Sequence, residues 1–392
     1  MDTLRITMIA PFGIRPKGTL LARMLPLAKA LTRDGMRVHI VAPPIHNPQD
    51  ADTTVVIDGV TVTHTAVAML PSVLGVAQQV GSLVQAVRRS MPDIVYLFKP
   101  KGHAGLAARW IQLTNPHIPL VVDCDDREGT GGWNDVVPYP RAARWLFDWQ
   151  ERTLPPRAAA VTVASRTLQS LCWADGCRAD GVFYVPNAAD VPSVAELPTQ
   201  RHGQTMVLYT RFWEFDVAAF VPVLARICAA LPECRIDVIG TGEQGEERAF
   251  ASLVAAAGIE PQVRMHGWLA PESIGPLLAQ ASIALVPVRD TLINRARCSA
   301  KLLELLGAGI AVVGHDVGEM RQFVAHGSNG VLVAPDDADG FADAVIGLFA
   351  DEARRTSMQG AAMLSARREC WDARVPVCRA AVRSATPQTR DR

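Results

Sequence analysis

The sequence predicts an α/β fold, with two doubly wound parallel-sheet domains in tandem facing a cleft. Three observations lead there. The chain has 392 residues, and single hydrophobic cores stop growing at roughly 250–300 residues, so two domains are the default. Short apolar runs alternate with stretches of helical periodicity along nearly the whole chain, which is the pattern of parallel strands covered by helices on both faces. The alternation pauses between Pro186 and Gly203, in a polar segment with Pro192, Pro198 and His202 that reads as an interdomain linker. In open parallel sheets ligands sit beyond the carboxyl ends of the strands, so chemistry is sought in the loops there.

The elements follow in order. Residues 6–10 read as a buried strand. Leu20, Met24, Leu27 and Leu31 then recur at helical spacing, and Pro26 within them predicts a kink or a late helix start. Residues 37–42 form the next strand. Runs 53–57 and 60–65 flank Asp58-Gly59, a hairpin-turn signal. Further strands are expected at 94–98, 120–124, 160–164 and 182–185. The second series has strands at 206–209, 235–239, 263–266, 283–286, 310–313 and 331–333. Its helices are expected around 218–230, 246–257, 271–280, 300–306 and 340–349. From about residue 352 the tail is helical and polar, fraying at 386–392. The domains are therefore placed at 1–190 and 204–365, with a helical tail at 366–392.

Composition narrows the function. Lys plus Arg and Asp plus Glu each number 39, so the net charge is zero, which argues against a dedicated nucleic-acid binder. A basic bias near the start (Arg15, Lys17, Arg23, Lys29, Arg33, Arg37) is read either as a weak membrane-surface contact or as a solvated helix face. No apolar run approaches the ~20 residues of a membrane span, and the first residues lack a signal-peptide pattern, so a cytoplasmic protein, at most peripheral at a membrane, is expected. The eight cysteines include no CxxC pair and are expected as buried free thiols rather than zinc ligands.

Several loops could carry chemistry. Gly13 and Gly18 lie in the loop between the first strand and its helix, where backbone amides can approach a phosphate. Arg211 follows the first strand of the second series, placed either to fork onto a diphosphate or to pair with Glu214 or Asp216. Gly240, after the next strand, permits a tight turn and close approach. Ser299 is an N-cap candidate for a helix whose first turns carry Lys301, Leu302 and Glu304. The amides of that terminus with Lys301 suit a phosphate, and Glu304 could accept ribose hydroxyls. A surface i,i+3 ion pair between Lys301 and Glu304 is the alternative. The acidic stretch Asp123-Cys124-Asp125-Asp126-Arg127-Glu128 is read as solvated, with a cation site as the other possibility.

Taken together, these segments resemble the GT-B glycosyltransferases of the family 4, or group 1, type. Val185-Pro186-Asn187 with Asp190 is similar to the family's PNGxD element, with Ala188 in place of glycine. His266-Gly267-Trp268, Ala281-Ser282-Ile283, the Lys301–Val313 stretch, His315-Asp316-Val317-Gly318-Glu319 and Gly327-Ser328-Asn329-Gly330 match further family motifs in order, and Trp371 resembles the family's tail tryptophan, which implies that the helical tail 366–392 packs back toward the first domain. The resemblance covers nearly the whole chain. It implies a GT-B fold of two Rossmann-like domains, with acceptor in the first and nucleotide sugar in the second. Carried over, Arg211 and Lys301 take the diphosphate and Glu304 the ribose. Trp268 and Leu269 fall near the base, and Gly13 and Gly18 face the donor phosphate. Asp125 stands where many relatives have a histidine, and could orient the acceptor hydroxyl. The chain departs from the pattern at Ala296, where a glutamate is usual, and at Val217, where a lysine is usual.

The implied reaction is sugar transfer from a nucleoside diphosphate sugar, with retention and without a metal or other cofactor. The acceptor is left open among saccharide, lipid and small molecule. The alternative is a catalytically inactive homologue that binds a nucleotide sugar or supports a partner. A phosphorylase, an epimerase and a dehydrogenase fit less well, the last for want of a GxGxxG after the first strand of either domain.

Overall fold

The computed structural model describes residues 3–14, 18, 20–189, 201 and 203–386. Arg15, Lys17, Asp190, the linker residues Pro192, Pro198 and His202, and the chain end after 386 lie outside the described residues. The chain divides into two compact units. The first comprises Met1–Asn187, Ala296–Cys298 and Trp371–Arg392, and the second Ala188–Arg295 and Ser299–Cys370.

The first unit contains β1 (Arg5–Ile9), β2 (Arg37–Ala42), β3 (Thr54–Ile57), β4 (Val60–His64), β5 (Ile94–Phe98), β6 (Leu120–Cys124), β7 (Ala160–Val163) and β8 (Val182–Tyr184). They form one sheet in the order β3-β4-β2-β1-β5-β6-β7-β8. Every neighbouring pair is parallel except β3 with β4. Every residue of β5, β6 and β7 is buried, which explains their largely apolar reading, broken by the hydrogen-bonded Asp123 and Thr162: a parallel strand covered on both faces has no polar side to alternate. The β3–β4 hairpin turns at Asp58 and Gly59, both with left-handed φ of 48° and 84°, as a two-residue turn matched to strand twist requires.

Pro26 acts as a late helix start rather than a kink. A π-helical turn spans Leu20–Met24, and the α-helix Leu25–Arg33 begins with Pro26 in its first turn, where no N–H is needed. The helix Ser72–Arg89 buries Val80, Leu83, Val84 and Val87 against the sheet. Its first turn and the preceding loop leave Met69, Leu70, Val73 and Leu74 exposed. The backbone amides of Met69 and Leu70 donate to Gln78 Oε1 at 2.9 and 3.1 Å. The helix Trp371–Ala385 packs on Leu25–Arg33 and on β6, β7 and β8, burying Trp371, Val375, Cys378, Ala381 and Val382. Arg33 pairs with Asp372 at 2.6 Å, and Arg379 pairs with Asp34.

The second unit contains β9 (Thr205–Tyr209), β10 (Arg235–Ile239), β11 (Val263–Gly267), β12 (Ile283–Val286), β13 (Ala311–His315) and β14 (Gly330–Val333), all parallel, in the order β11-β10-β9-β12-β13-β14. Met206, Leu208, Ile236, Ile283 and Val313 of the sheet share a core with Phe220, Leu224, Phe341 and Val345 of the helices Val217–Ala230 and Ala338–Ala350. Each such side chain contributes about 1.5–3 kcal/mol on burial. Asp216 caps the first helix through the amides of Ala218 and Ala219, and Asp337 caps the second through Gly340.

All eight cysteines are free, and all but half-buried Cys370 are buried. The Cys172 thiol has Cys124 and Cys177 as neighbours, a grouping that sequence spacing cannot reveal. Among the described residues no helix is long and apolar enough to cross a membrane.

Candidate active site

In the second unit the candidate residues gather at the carboxyl edge of the sheet. β9 runs into a turn at Thr210–Phe215. There Phe212, fully buried, takes a left-handed φ of 65°. A bulky residue resists that conformation, so the surroundings must impose it. Glu214, itself buried, does much of this. Its Oε2 accepts from Thr210 Oγ1 and from the Arg211 amide, each at 2.6 Å. Its backbone carbonyl accepts from the Arg289 amide and from Asn294 Nδ2, each at 2.9 Å. The Phe212 amide donates to Thr210 Oγ1 at 2.9 Å.

The Arg211 side chain projects from this turn and pairs with Glu243. Of the partners expected from the sequence, Glu214 takes the Arg211 backbone amide and Asp216 caps a helix. Gly240 closes the turn from β10. Its φ is 120°, and a Cβ there would lie 1.9 Å from the Thr210 carbonyl oxygen, so only glycine fits. Its amide donates to the Gly267 carbonyl at 2.7 Å.

Ser299 caps the helix Ala300–Gly307, accepting from the Leu302 amide at 3.4 Å. The Leu302 side chain is buried, so only its backbone could serve a ligand. Lys301 Nζ lies 3.4 Å from Glu214 Oε1 and 5.2 Å from the centre of the Tyr209 ring. Lys301 therefore reaches a carboxylate on a different loop, a partner that i,i+3 spacing did not suggest. Glu304 is exposed on the same helix. Its charge adds to burial in pushing the Tyr209 phenol up. Trp268, 69% exposed, and half-buried Leu269 follow edge strand β11.

In the first unit, Gly13 donates its amide to the Ile45 carbonyl at 3.3 Å, and any Cβ there would overlap the Asn47 side chain. Gly18 is exposed. The acidic stretch is not solvated, contrary to the sequence reading. Asp123, Asp125, Arg127 and Glu128 are all buried. Lys99, at the end of β5 with a left-handed φ of 61°, directs its ammonium between Asp125, Asp126 and Glu128 at 3.0, 2.7 and 3.0 Å. The contact to Asp125 Oδ1 is an ion pair off the axis of a hydrogen bond. Lys101 reaches Glu128 at 2.6 Å, and Arg127 reaches Glu151 at 3.1 Å.

Burial pushes Asp125 up to about 7, with Lys99 pulling the other way. Burial works against ionised Glu128 too, but Lys101 and Lys99 outweigh it and bring Glu128 down to about 2. Burial likewise opposes charged Lys99, and the three carboxylates overcome it and raise its pKa. The carboxylates of Asp125, Asp126 and Glu128 lie within 4.8 Å of one another, close enough to hold a cation, and the Lys99 ammonium stands among them.

Arg23, read from the sequence as part of a basic surface, belongs to no surface patch. It is fully buried. It forks onto Asp123 at 2.8 and 2.6 Å and donates to the Val185 carbonyl at 2.9 Å and to Asn187 Oδ1 at 3.0 Å. Asn187 in turn donates to the Cys298 carbonyl at 2.6 Å. Sequence reasoning missed Lys99, Lys101, Glu151 and this use of Arg23. The one available signal was Lys99-Pro100-Lys101-Gly102, two lysines at a strand's carboxyl end.

Known proteins match both units. A family described as "Glycosyl transferases group 1" matches residues 203–351, and one described as "Glycosyl transferase 4-like domain" matches residues 18–188. A phosphatidyl-myo-inositol mannosyltransferase of Mycolicibacterium smegmatis is 28% identical over 193 residues, 48% of each chain. The chain thus spans about half the length of that relative. A protein of the same description from Mycobacterium leprae is 22% identical over 94% of this chain and 93% of its own. Among solved structures, sucrose-phosphate synthase from Thermosynechococcus elongatus superposes with a TM-score of 0.73 at 17% identity, covering 97% of this chain and 98% of that one. Anabaena HepE in complex with UDP and glucose gives 0.71 at 18% identity, covering 96% and 99%.

Proposed function

The chain belongs to the group 1 glycosyltransferases of the GT-B fold, and on that premise we propose that it transfers a sugar from a nucleoside diphosphate sugar, with UDP as the first nucleotide to test, to a hydroxyl acceptor. One observation carries the reading. At the carboxyl edge of the second sheet two cationic residues, Arg211 and Lys301, are joined through Glu214, beside a capped helix N-terminus and with Glu304 on the same helix.

That set suits the charge that develops. As the bond from the anomeric carbon to the diphosphate oxygen breaks, the electron pair leaves with the diphosphate. Fixed cations and amides stabilise such an anion best where water is excluded. The acceptor oxygen forms the new bond to the anomeric carbon on the face the diphosphate leaves. Its proton passes to the departing phosphate oxygen, so the configuration is retained and no protein base is required. Asp125, as a hydrogen-bond acceptor, orients the acceptor hydroxyl. The Lys99 ammonium among Asp125, Asp126 and Glu128 supports a reaction without a bound metal.

The acceptor belongs to the saccharides, lipids or small hydroxylated molecules. A weak membrane-surface contact fits the exposed apolar tip Met69, Leu70, Val73 and Leu74 better than the basic residues near the start. Of those residues Arg23 is buried, while Lys29 and Arg33 are paired with Asp58 and Asp372.

The test is release of nucleoside diphosphate from a panel of UDP-, GDP-, ADP- and dTDP-sugars. One donor is expected to turn over, unaffected by a chelator. Arg211→Ala and Glu304→Ala should each lower that rate about tenfold or more, since hydrogen bonds to charged groups are worth roughly 1.5–3 kcal/mol. No turnover of any donor, or full activity in both variants, defeats the reading.

A further inference from the structure

We propose that Glu214 is a positioning residue of the donor site, acting on phosphate through Arg211 and Lys301 without touching the donor itself. The inference rests on the reading above and deepens it. One buried carboxylate holds both the backbone of Arg211, whose guanidinium pairs with Glu243, and the ammonium of Lys301. Its Oε2 receives the Arg211 amide and the Thr210 hydroxyl, each at 2.6 Å, and so sets the direction in which the Arg211 side chain leaves the turn. Its Oε1 lies 3.4 Å from the Lys301 ammonium. Its backbone carbonyl ties the turn to the 289–294 loop through the Arg289 amide and Asn294 Nδ2. The strain is local to this hub: Phe212, between Arg211 and Glu214, holds a left-handed φ of 65° while fully buried. Residues kept in sparse backbone regions persist only where their surroundings over-determine them, and they cluster at functional sites.

Lysine is a flexible point charge, and its phosphate contact depends on what aims it. A carboxylate beside an anion site is electrostatically unfavourable in itself, so its presence needs a compensating role. Aiming two cationic residues is that role. The two effects have opposite signs and are therefore separable. If charge alone mattered, removing the Glu214 charge would tighten the binding of a nucleoside diphosphate. If positioning dominates, the same change loosens binding and slows turnover.

The experiment uses the full chain, the donor identified by the panel, and UDP as binding probe if a UDP-sugar is that donor. Glu214→Gln keeps an oxygen for the Thr210 hydroxyl and the Arg211 amide but loses its hold on Lys301. Its kcat/KM is expected to fall roughly tenfold or more with the nucleotide bound more weakly, at a melting temperature close to wild type. In a Lys301→Met background the same substitution should add little, because coupled residues do not lose activity independently. Glu214→Asp, which keeps the charge but draws it back by one methylene, should also lose turnover, and it serves if the glutamine variant melts early. Tighter nucleotide binding in Glu214→Gln, losses that multiply in the double variant, or wild-type kinetics in Glu214→Asp would overturn the inference while leaving the transferase reading intact. If the wild type binds no nucleoside diphosphate and turns over no donor, the transferase reading fails first and the role of Glu214 falls with it.

Discussion

Asp125 shares the Lys99 ammonium with Asp126 and Glu128 and sits 5% exposed. Burial raises its pKa from an ordinary 3.8 to about 7. A carboxyl whose folded pKa lies above its unfolded value favours the fold while it is protonated, and that contribution is lost as pH rises. For Asp125 the window runs from about 4 to about 7. Asp125→Asn should therefore melt higher than wild type at pH 8, with a smaller difference at pH 5, while Lys99 keeps two of its three carboxylates. Donor turnover with an acceptor present should fall in the same variant. Thermal melts at the two pH values check the first expectation, and an equal effect at both removes the assigned ionisation. At this scale the sequence singles out Arg211 and Gly240, which follow strands, and Lys301 and Glu304, which follow the cap Ser299. It cannot show that Asp125 is buried or that Glu214 joins two loops, because burial and long-range pairing depend on which strands become neighbours.

Arg23 is placed by the turn of helix that carries it. The π-turn Leu20–Met24 widens the helix just before Pro26 starts its regular part, and such turns recur where function places a side chain. Here the turn carries a guanidinium to Asp123 and to Val185 and Asn187. Arg23→Met would leave Asp123 buried without its cation, a change that costs about 3–5 kcal/mol. Urea unfolding should show that loss, and Arg23→Met with Asp123→Asn should recover part of it. The helical spacing of Leu20, Met24, Leu27 and Leu31 was legible, but a π-turn has the same apolar pattern as an α-turn, so Arg23 read as surface. Strands were legible nearly to the residue where both faces are covered, as in β5 and β6. The helix Ser72–Arg89 is core along most of its length and bare at its first turn and the loop before it. Wild-type protein should float weakly with mixed phosphatidylcholine and phosphatidylglycerol vesicles, and Leu70→Glu with Val73→Glu should abolish that. Equal flotation of the two removes the tip as the contact.

At the scale of the whole molecule, two parallel sheets were legible because each repeats strand and helix in order, with a polar pause between. The exact division was not. Residues 296–298 and the helix Trp371–Ala385 belong to the first unit; the resemblance at Trp371 implied that the tail helix returns to the first domain, whereas nothing local marks residues 296–298 as leaving the second series. This arrangement has a consequence for biosynthesis. The first unit cannot finish folding when Asn187 leaves the ribosome, because the helix that buries Trp371, Val375 and Cys378 does not yet exist. At about 5–20 residues per second, tens of seconds pass before that segment is made. Until then the face of Leu25–Arg33 that will receive it stays bare and open to other partners.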